Sequence, residues 1–130
     1  MAKGVEISHL DGWLGTKLTF VSSLNIYVFI LILCVIVTFI SELASNVATI
    51  QLMIPILVVL QKEMNVHPLL LLMHATLAAS LGFMLPVATA PNTIVFGSKR
   101  IKVSDMLKAG LVLDIVGIIL IVLFMMLAPY

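Results

Sequence analysis

The feature that most constrains this chain is residues 24–40, a long apolar run without a single charged side chain. Extended as an α-helix to Leu43, the run is about 30 Å long, which matches the hydrocarbon core of a bilayer. Hydrophobic residues make up 62% of the sequence and charged residues 10%, whereas about a quarter of a soluble domain is charged. The sequence therefore predicts an all-α integral membrane protein. Its net charge of +1 indicates no nucleic-acid partner.

A polar stretch, SELASNVAT at residues 41–49, precedes a second and shorter apolar segment, residues 48–61. As a helix this second segment is about 21 Å long, and apolar stretches of that length are more often re-entrant or buried than spanning. Residues 24–61 are therefore predicted to form a re-entrant helical hairpin with the polar stretch at its tip. Residues 1–23 mix charged side chains with Trp13 and are predicted to be an interfacial segment or loop.

The third segment, residues 67–97, is predicted to be a discontinuous transmembrane helix. It begins at Pro68, because proline suits the first turn of a helix, and runs into the sequence PVATAPN. Pro86 and Pro91 bracket that sequence, and each removes a backbone donor and disfavours helix in the residue before it. Such a break is tolerated at membrane depth only where the freed backbone groups face protein or a water-filled cavity.

The last segment, residues 104–127, is predicted to be an ordinary transmembrane helix. Ser104 is its predicted N-cap, and Asp105 lies in the first turn, where a negative charge is favourable. Asp114 lies inside the segment. It is interpreted either as a group that faces protein or solvent or as a functional proton or ion site.

Basic residues predict the orientation of the chain. They are concentrated just before and within the start of the last segment, at Lys99, Arg100, Lys102 and Lys108. The positive-inside rule therefore predicts that the Lys99–Lys102 loop is cytoplasmic, that the C-terminus lies outside, and that the hairpin enters from outside. The membrane is predicted to be the cell membrane, that is the inner or plasma membrane.

The two interruptions have chemistry that suits ions. A helix that ends inside the membrane has partial negative charge at its carbonyl end and partial positive charge at its N-terminal end. A cation suits the first and an anionic group the second, as in the broken helices of secondary transporters. Neutral oxygens suited to a weakly held Na⁺ occur on Ser41, Ser45, Asn46, Thr89 and Asn92, and small residues that admit a ligand to the backbone include Ala44, Ala48, Ala88 and Ala90.

The same residues also have purely structural interpretations. The polar tip can serve to cap two helix ends, and the proline break can be a packing kink. Glu42 is predicted to be a structural partner for freed N–H groups or for a lysine rather than a proton carrier. Small residues suited to close helix packing include Ala75, Ala78, Ala79 and Gly82. His67 and His74 lack ligand-like spacing, and the sequence contains no phosphate loop or nucleophile–base pattern, which indicates no metal cluster and no enzyme.

Two motifs carry a resemblance to a known family. SELASNVAT and LGFMLPVATAPNTIVFGS, residues 81–98, closely resemble the second half of the divalent anion/sodium symporters. These are the sodium-coupled dicarboxylate, citrate and sulfate carriers. LDGWLG near the start and KVSDMLKAG before the last helix extend the resemblance over nearly the whole chain. It implies half of an inverted-repeat transporter, in which each repeat carries a re-entrant hairpin with a Ser-Asn-Thr motif and a broken helix.

The resemblance implies a substrate site. Ser45, Asn46 and Val47 stand at the Ser-Asn-Thr positions, so Val47 replaces a threonine. With Thr89 from the broken helix they are expected to contact a small anionic substrate, which is a dicarboxylate, citrate or sulfate. Ala90 is a second departure, since the family has proline at this position.

The resemblance also implies a site for one coupling Na⁺. Its expected ligands are the side chains of Ser41 and Asn46 and the backbone carbonyls of Ala44 and Ala88. Residues expected to have structural roles are Glu42, Pro86, Pro91 and Asn92.

The resemblance places the first repeat outside these 130 residues. We therefore expect the chain to be the C-terminal part of a sodium-coupled symporter in the lipid bilayer, completed by its missing N-terminal half, with a homodimer as one assembly. One alternative is a small membrane subunit or non-transporting remnant that packs with a partner. Another is a four-helix proton-coupled exporter that works as a homo-oligomer through Glu42.

Overall fold

The computed structural model describes residues 25–128, so the interfacial segment or loop predicted for residues 1–23 lies outside the described residues. The described part of the chain forms five helices: α1 Ile26–Leu43, α2 Asn46–Met64, α3 Pro68–Ala79, α4 Ala90–Gly97 and α5 Val103–Leu127. By length and composition, α1, α2 and α5 are each able to cross a membrane, whereas α3 is a shorter apolar helix. The architecture is that of an all-α integral membrane protein, as the composition predicts.

The packing is centred on α3, which contacts α1, α2 and α5. Its buried face includes Ala75, Ala78 and Ala79, and such small side chains allow neighbouring helix backbones to approach closely. From α1, Thr38 and Ser41 face α3, since both are buried and are spaced to lie on one side of a helix. The Thr38 hydroxyl donates to the Ala78 carbonyl at 3.1 Å. Helix α1 is therefore joined to α3 by direct hydrogen bonds as well as apolar contact.

The second arm of the hairpin is longer than the segment 48–61 that the sequence predicts. Helix α2 has 19 residues, begins directly after the tip at Asn46, and ends where Asn65 adopts a left-handed conformation with φ of 51°. The polar residues after Leu60 remain helical because glutamine, lysine and glutamate are good helix formers. A helix of this length is able to cross a bilayer, and the re-entrant course of the hairpin stays a prediction.

The break in the third segment begins earlier than the prolines predict. Helix α3 ends at Ala79, and the chain is non-helical over residues 80–89. In a continued helix, the N–H groups of Met84 and Leu85 would donate to carbonyls four residues earlier. Here both N–H groups donate to the Glu42 carboxylate. A partner distant in sequence therefore competes with the helical hydrogen bonds upstream of the prolines.

The last helix also begins earlier than predicted. Its N-cap is Lys102, which makes no side-chain cap hydrogen bond, so the prediction of Ser104 as the N-cap is wrong. Lys102 has the extended backbone of an N-cap residue, and Ser104 is already inside the first turn. Asp105 does lie in that turn, and Asp114 is buried on the side that faces protein.

Candidate ion and substrate site

The tip between α1 and α2 is a sharp corner that is satisfied by its own backbone and side chains. Ala44 caps α1 with an extended backbone, and its N–H donates to the Ile40 carbonyl at 3.0 Å. Ser45 is the N-cap of α2, and its hydroxyl accepts from the Ala48 N–H at 3.2 Å. The carbonyl end of one helix and the N-terminal end of the next therefore lie side by side.

Ser41 connects this corner to the end of α3. Its hydroxyl donates to the Ala79 carbonyl at 2.5 Å and lies 2.7 Å from Asn46 Oδ1. Because Ala79 is the last residue of α3 and Ser41 is in the last turn of α1, two helix carbonyl ends converge there. Both ends carry partial negative charge, so the electrostatic field at this point favours a cation.

Gly82 lies where the tip and the break meet. A Cβ placed on Gly82 would be 3.6 Å from Asn46 Oδ1, 3.6 Å from the Ala88 Cβ and 3.7 Å from the Thr89 Cγ2. The structure therefore brings Asn46 of the tip together with Ala88 and Thr89 of the break. These residues also mark two helix N-termini, since α2 begins at Asn46 and Thr89 is the N-cap of α4. Two N-terminal ends side by side favour an anionic group.

Glu42, in the last turn of α1, holds the break by hydrogen bonds to its backbone. The side chain is only 2% exposed, and its two oxygens each accept one backbone hydrogen bond at 2.9 Å, from Met84 N–H and from Leu85 N–H. Glu42 therefore connects the last turn of α1 to the non-helical segment and fixes its backbone.

Asn92, in the first turn of α4, holds the break from its C-terminal side. Its Nδ2 donates to the carbonyls of Gly82 at 2.8 Å and Leu85 at 3.0 Å, and its backbone N–H donates to the Thr89 hydroxyl at 3.4 Å. Pro91 occupies the first turn of α4, where a residue without an N–H is tolerated. Near Pro86, the Thr93 hydroxyl donates to the Pro86 carbonyl at 2.6 Å. The break is therefore a hydrogen-bonded loop with a defined shape.

Other residues expected at the site lie on the two corners with different exposure. Ser45 and Val47 are exposed, Val47 by 67% of its side chain, so both are accessible from outside the helix packing. Ala44 is half-buried in the tip, and Ala88 is buried in the break. The exposed residues are those expected to contact substrate, and the more buried ones are those expected to hold the cation.

Sequence reasoning missed two members of this site. It assigned Ala79 and Gly82 to helix packing, whereas Ala79 supplies a carbonyl at the cation side and Gly82 lies between the two corners. A signal was present, because a serine and a glycine follow directly after Ala79 and both residues are poor at continuing a helix.

The residues at the cation side fit a hard monovalent cation. The available ligands are a hydroxyl, an amide oxygen and backbone carbonyls, which suit cations that prefer oxygen. Within residues 25–128 no group of three or more His, Cys, Asp or Glu comes together, so the described part of the chain offers no ligand set for a transition metal. Na⁺ is consistent with this chemistry.

Helices that break at membrane depth and turn their ends toward one another are the means by which secondary transporters bind ions and anionic substrates. Residues 1–128 match the family model described as the sodium:sulfate symporter transmembrane region. The chain is 47% identical over 123 residues to solute carrier family 13 member 2 of Rattus norvegicus. It is 41% identical over 123 residues to the sodium-dependent dicarboxylate transporter SdcS of Staphylococcus saprophyticus, and 47% identical over 118 residues to the Na(+)/citrate cotransporter of Rattus norvegicus.

The chain belongs to the sodium:sulfate symporter family, which is a family of membrane transporters and not of enzymes. This confirms the resemblance to the divalent anion/sodium symporters. The three matches cover 95%, 95% and 91% of this chain but only 21%, 24% and 21% of the respective relatives. The chain therefore spans between a fifth and a quarter of the length of these relatives.

Proposed function

We propose that this chain is the C-terminal part of a sodium-coupled symporter for divalent anions, to which it contributes one Na⁺ site and half of the substrate site. The observation that carries the proposal is the convergence at Gly82, where Asn46 of the tip meets Ala88 and Thr89 of the break. The N-terminal part of the longer transporter supplies the other half of the substrate site. The family and two of the relatives named above, a sodium-dependent dicarboxylate transporter and a Na(+)/citrate cotransporter, support this proposal.

The substrate side presents hydrogen-bond donors to an anion. The hydroxyls of Ser45 and Thr89 and the amide of Asn46 donate to carboxylate or sulfate oxygens, and the N-terminal ends of α2 and α4 add partial positive charge. Val47 contributes only an apolar contact at the position of the third motif residue. Dicarboxylates, citrate and sulfate all carry oxygens that these donors recognise.

Coupling follows from the position of Asn46, which belongs to both sites. Its Oδ1 lies against the Ser41 hydroxyl on the cation side, which leaves Nδ2 for the anion. Oxygens of Ser41 and Asn46 and the carbonyls of Ala44 and Ala88 hold Na⁺, whose positive charge attracts the anion. An occupied cation side fixes the Asn46 amide in the orientation that the substrate requires.

Uptake of labelled succinate, citrate or sulfate by cells that hold the complete gene tests the proposal. We expect uptake of at least one of these anions, and its loss when Na⁺ is replaced by choline. Uptake that continues in choline contradicts the sodium coupling. If none of the three anions enters although the protein is present in the membrane, the alternative of a membrane subunit or remnant, in which the tip only caps helices, is favoured.

Two serine variants distinguish a specific loss of Na⁺ binding from a general loss of function. Ser41→Ala removes a buried oxygen of the cation side, and we expect a higher Na⁺ concentration for half-maximal uptake. Ser104→Ala is the matched control, because Ser104 is exposed in the first turn of α5 and lies away from the site. An equal shift in both variants, after correction for the amount of protein in the membrane, contradicts the assignment of Ser41.

Restoring the hydroxyl at the third motif position tests the substrate side. Val47→Thr changes an exposed side chain, so packing is little affected. We expect a lower half-saturating anion concentration with an unchanged requirement for Na⁺. A change in Na⁺ dependence without any change in anion dependence contradicts the assignment of Val47 to the substrate side.

The orientation and the re-entrant course of the hairpin are part of the same proposal. Cys34 is buried, and a single introduced cysteine is therefore readable with a membrane-impermeant thiol reagent. Ser98→Cys, beside the basic loop, is expected to be labelled only from the cytoplasmic side, and Val66→Cys, after α2, only from outside. Labelling of both positions from the same side contradicts the proposed topology.

A further inference from the structure

The turn between α4 and α5 concentrates positive charge. Helix α4 ends at Gly97 and α5 begins at Val103. The turn has a defined shape, because the Lys99 N–H donates to the Phe96 carbonyl at 3.1 Å and Lys99 is left-handed with φ of 57°. Within residues 25–128 the only lysine or arginine outside this region is Lys62. Four exposed side chains of the turn and the start of α5 form the basic patch: Lys99, Arg100, Lys102 and Lys108.

The basic patch is not neutralised by its own surroundings. In the part of the chain that the structure describes, none of its four side chains takes part in an ion pair or a hydrogen bond. Asp105 is the one acidic residue between Lys99 and Lys108, so positive charge remains in excess. Lys102 is the N-cap of α5 without a side-chain cap hydrogen bond, and the start of this helix adds partial positive charge. The patch therefore attracts negatively charged groups from outside the described residues.

The length of α5 places the basic patch at the boundary of the bilayer. Helix α5 is long and apolar enough to cross a membrane. Its part from Leu107 to Leu127 is about 30 Å long, which matches the hydrocarbon core. The residues before Leu107 therefore lie at the level of the lipid headgroups. Lys108 also reaches this level, because a long basic side chain near a helix end extends toward the interface.

Exposed apolar side chains lie among the basic ones. Each of them is between 38% and 45% exposed, and they are Val95, Phe96, Ile101, Val103 and Leu107. A soluble anion bound at the patch would leave these side chains in water. A lipid surface accommodates both kinds of residue, because its phosphates attract the basic groups and its acyl chains cover the apolar ones. The combination therefore favours lipid over a soluble anion.

We propose that the basic patch binds the headgroups of anionic phospholipids. Lipid phosphate oxygens contact Lys99, Arg100 and Lys102, and the apolar side chains between them enter the edge of the acyl-chain region. Each basic residue near an anionic surface strengthens binding about fivefold, and salt screens the attraction. The bound lipid holds the end of α4 and the start of α5 at the membrane surface. The surface is independent of the proposed transport function, since it needs neither Na⁺ nor a transported anion.

Quenching of a fluorophore beside the basic patch by brominated lipids tests the proposal. The complete transporter, with Ser98→Cys as its only accessible cysteine, is labelled and reconstituted into phosphatidylcholine vesicles. The vesicles contain a minor fraction of either brominated phosphatidylglycerol, which is anionic, or brominated phosphatidylcholine, which has no net charge. We expect several-fold stronger quenching by the anionic lipid, and a smaller preference as the salt concentration rises. Equal quenching by the two lipids at low salt overturns the proposal.

Charge-removing variants show whether the basic patch causes the preference. The preference is a ratio of the two lipids in the same variant, so it does not depend on the amount of folded protein. The triple variant Lys99→Gln, Arg100→Gln, Lys102→Gln is expected to quench equally with both lipids. Lys102→Gln alone should weaken the preference, whereas Lys62→Gln, the matched control at the exposed end of α2, should not.

Two results would overturn the assignment to lipid. The first is a preference that persists in the triple variant or is weakened equally by Lys62→Gln and Lys102→Gln, because the contact then lies elsewhere. The second is a preference that inorganic phosphate abolishes and chloride at equal ionic strength does not. In that case the basic patch binds a soluble anion rather than a lipid surface.

Discussion

The tip at residues 44–45 and the break at residues 80–89 interrupt helices in different ways. At the tip, the hydrogen bonds are local: Ala44 donates to Ile40, and Ser45 accepts from Ala48. At the break, local hydrogen bonds from Asn92 and Thr93 are joined by distant ones, since Glu42 accepts from residues 42 and 43 positions further along the chain. A locally capped corner can form with its own two helices, whereas the break can form only when α1 and α3 are already packed.

This difference predicts that the break is the more fragile of the two corners. Loss of a local cap exposes one helix end to fraying and leaves the rest of the packing in place. Loss of a distant cap leaves buried backbone groups without partners and separates elements that are far apart in sequence. Variants at the two corners should therefore differ in stability by several kcal/mol.

Glu42→Ala is expected to have the largest effect. It leaves the N–H groups of Met84 and Leu85 without acceptors, and each buried donor left unsatisfied costs about 1–3 kcal/mol. The free energy of unfolding in detergent micelles, measured by denaturant titration, is the readout. Glu42→Gln retains one accepting oxygen and is expected to lose about half as much. Equal stability of Glu42→Ala and the unmodified protein would show that the break is not supported by this side chain.

Gly110→Ala is expected to cause the second-largest loss of stability. The new Cβ would overlap the Met84 backbone at 2.5 Å, and this clash cannot be relieved by rotating a side chain. Overpacking of a buried contact costs about 1–3 kcal/mol, and we expect a loss at the upper end of this range. Gly97→Ala is the control, because a Cβ there meets nothing within 4 Å and alanine favours helix. Similar losses in both variants would contradict the close contact of α5 with the break.

Asn92→Ala should be less damaging than Gly110→Ala. It removes two donors, to the carbonyls of Gly82 and Leu85, at a net cost of about 1 kcal/mol each. Asn92→Asp keeps the shape but removes both donors and adds a charge, so it should be at least as unstable. The same denaturant titration measures both variants. An Asn92→Asp protein as stable as the unmodified one would disprove the role of Nδ2.

Ser45→Ala is expected to have the smallest effect. It removes the N-cap hydrogen bond to the Ala48 N–H, which is worth about 1 kcal/mol, and the exposed corner remains accessible to water. Ser45→Asp restores an N-cap acceptor and should recover the loss. If Ser45→Ala destabilises the protein as much as Glu42→Ala does, the contrast between the local and the distant corner is wrong.

Much of this organisation follows from local sequence. The apolar run before Ser41 predicts a membrane helix, Pro68 predicts the start of α3, and SELASNVAT predicts a corner, because propensity and hydropathy act over a few residues. The end of α3 was predicted incorrectly for a reason that lies outside its own sequence. It depends on Glu42, which is distant in sequence, and the serine and glycine after Ala79 indicate a helix end but not the partner that fixes it.

The sequence alone determined the membrane class, the position of the tip and the residues able to cap it, because burial in lipid requires a continuous apolar helix and a break requires nearby donors and acceptors. Only the tertiary structure decided that Ser41 reaches the end of α3, that Asn46 meets Thr89 across Gly82, and that α5 contacts the break at Gly110. These contacts join residues on different helices. They depend on how α1, α3 and α5 pack, which hydropathy along a single helix does not specify.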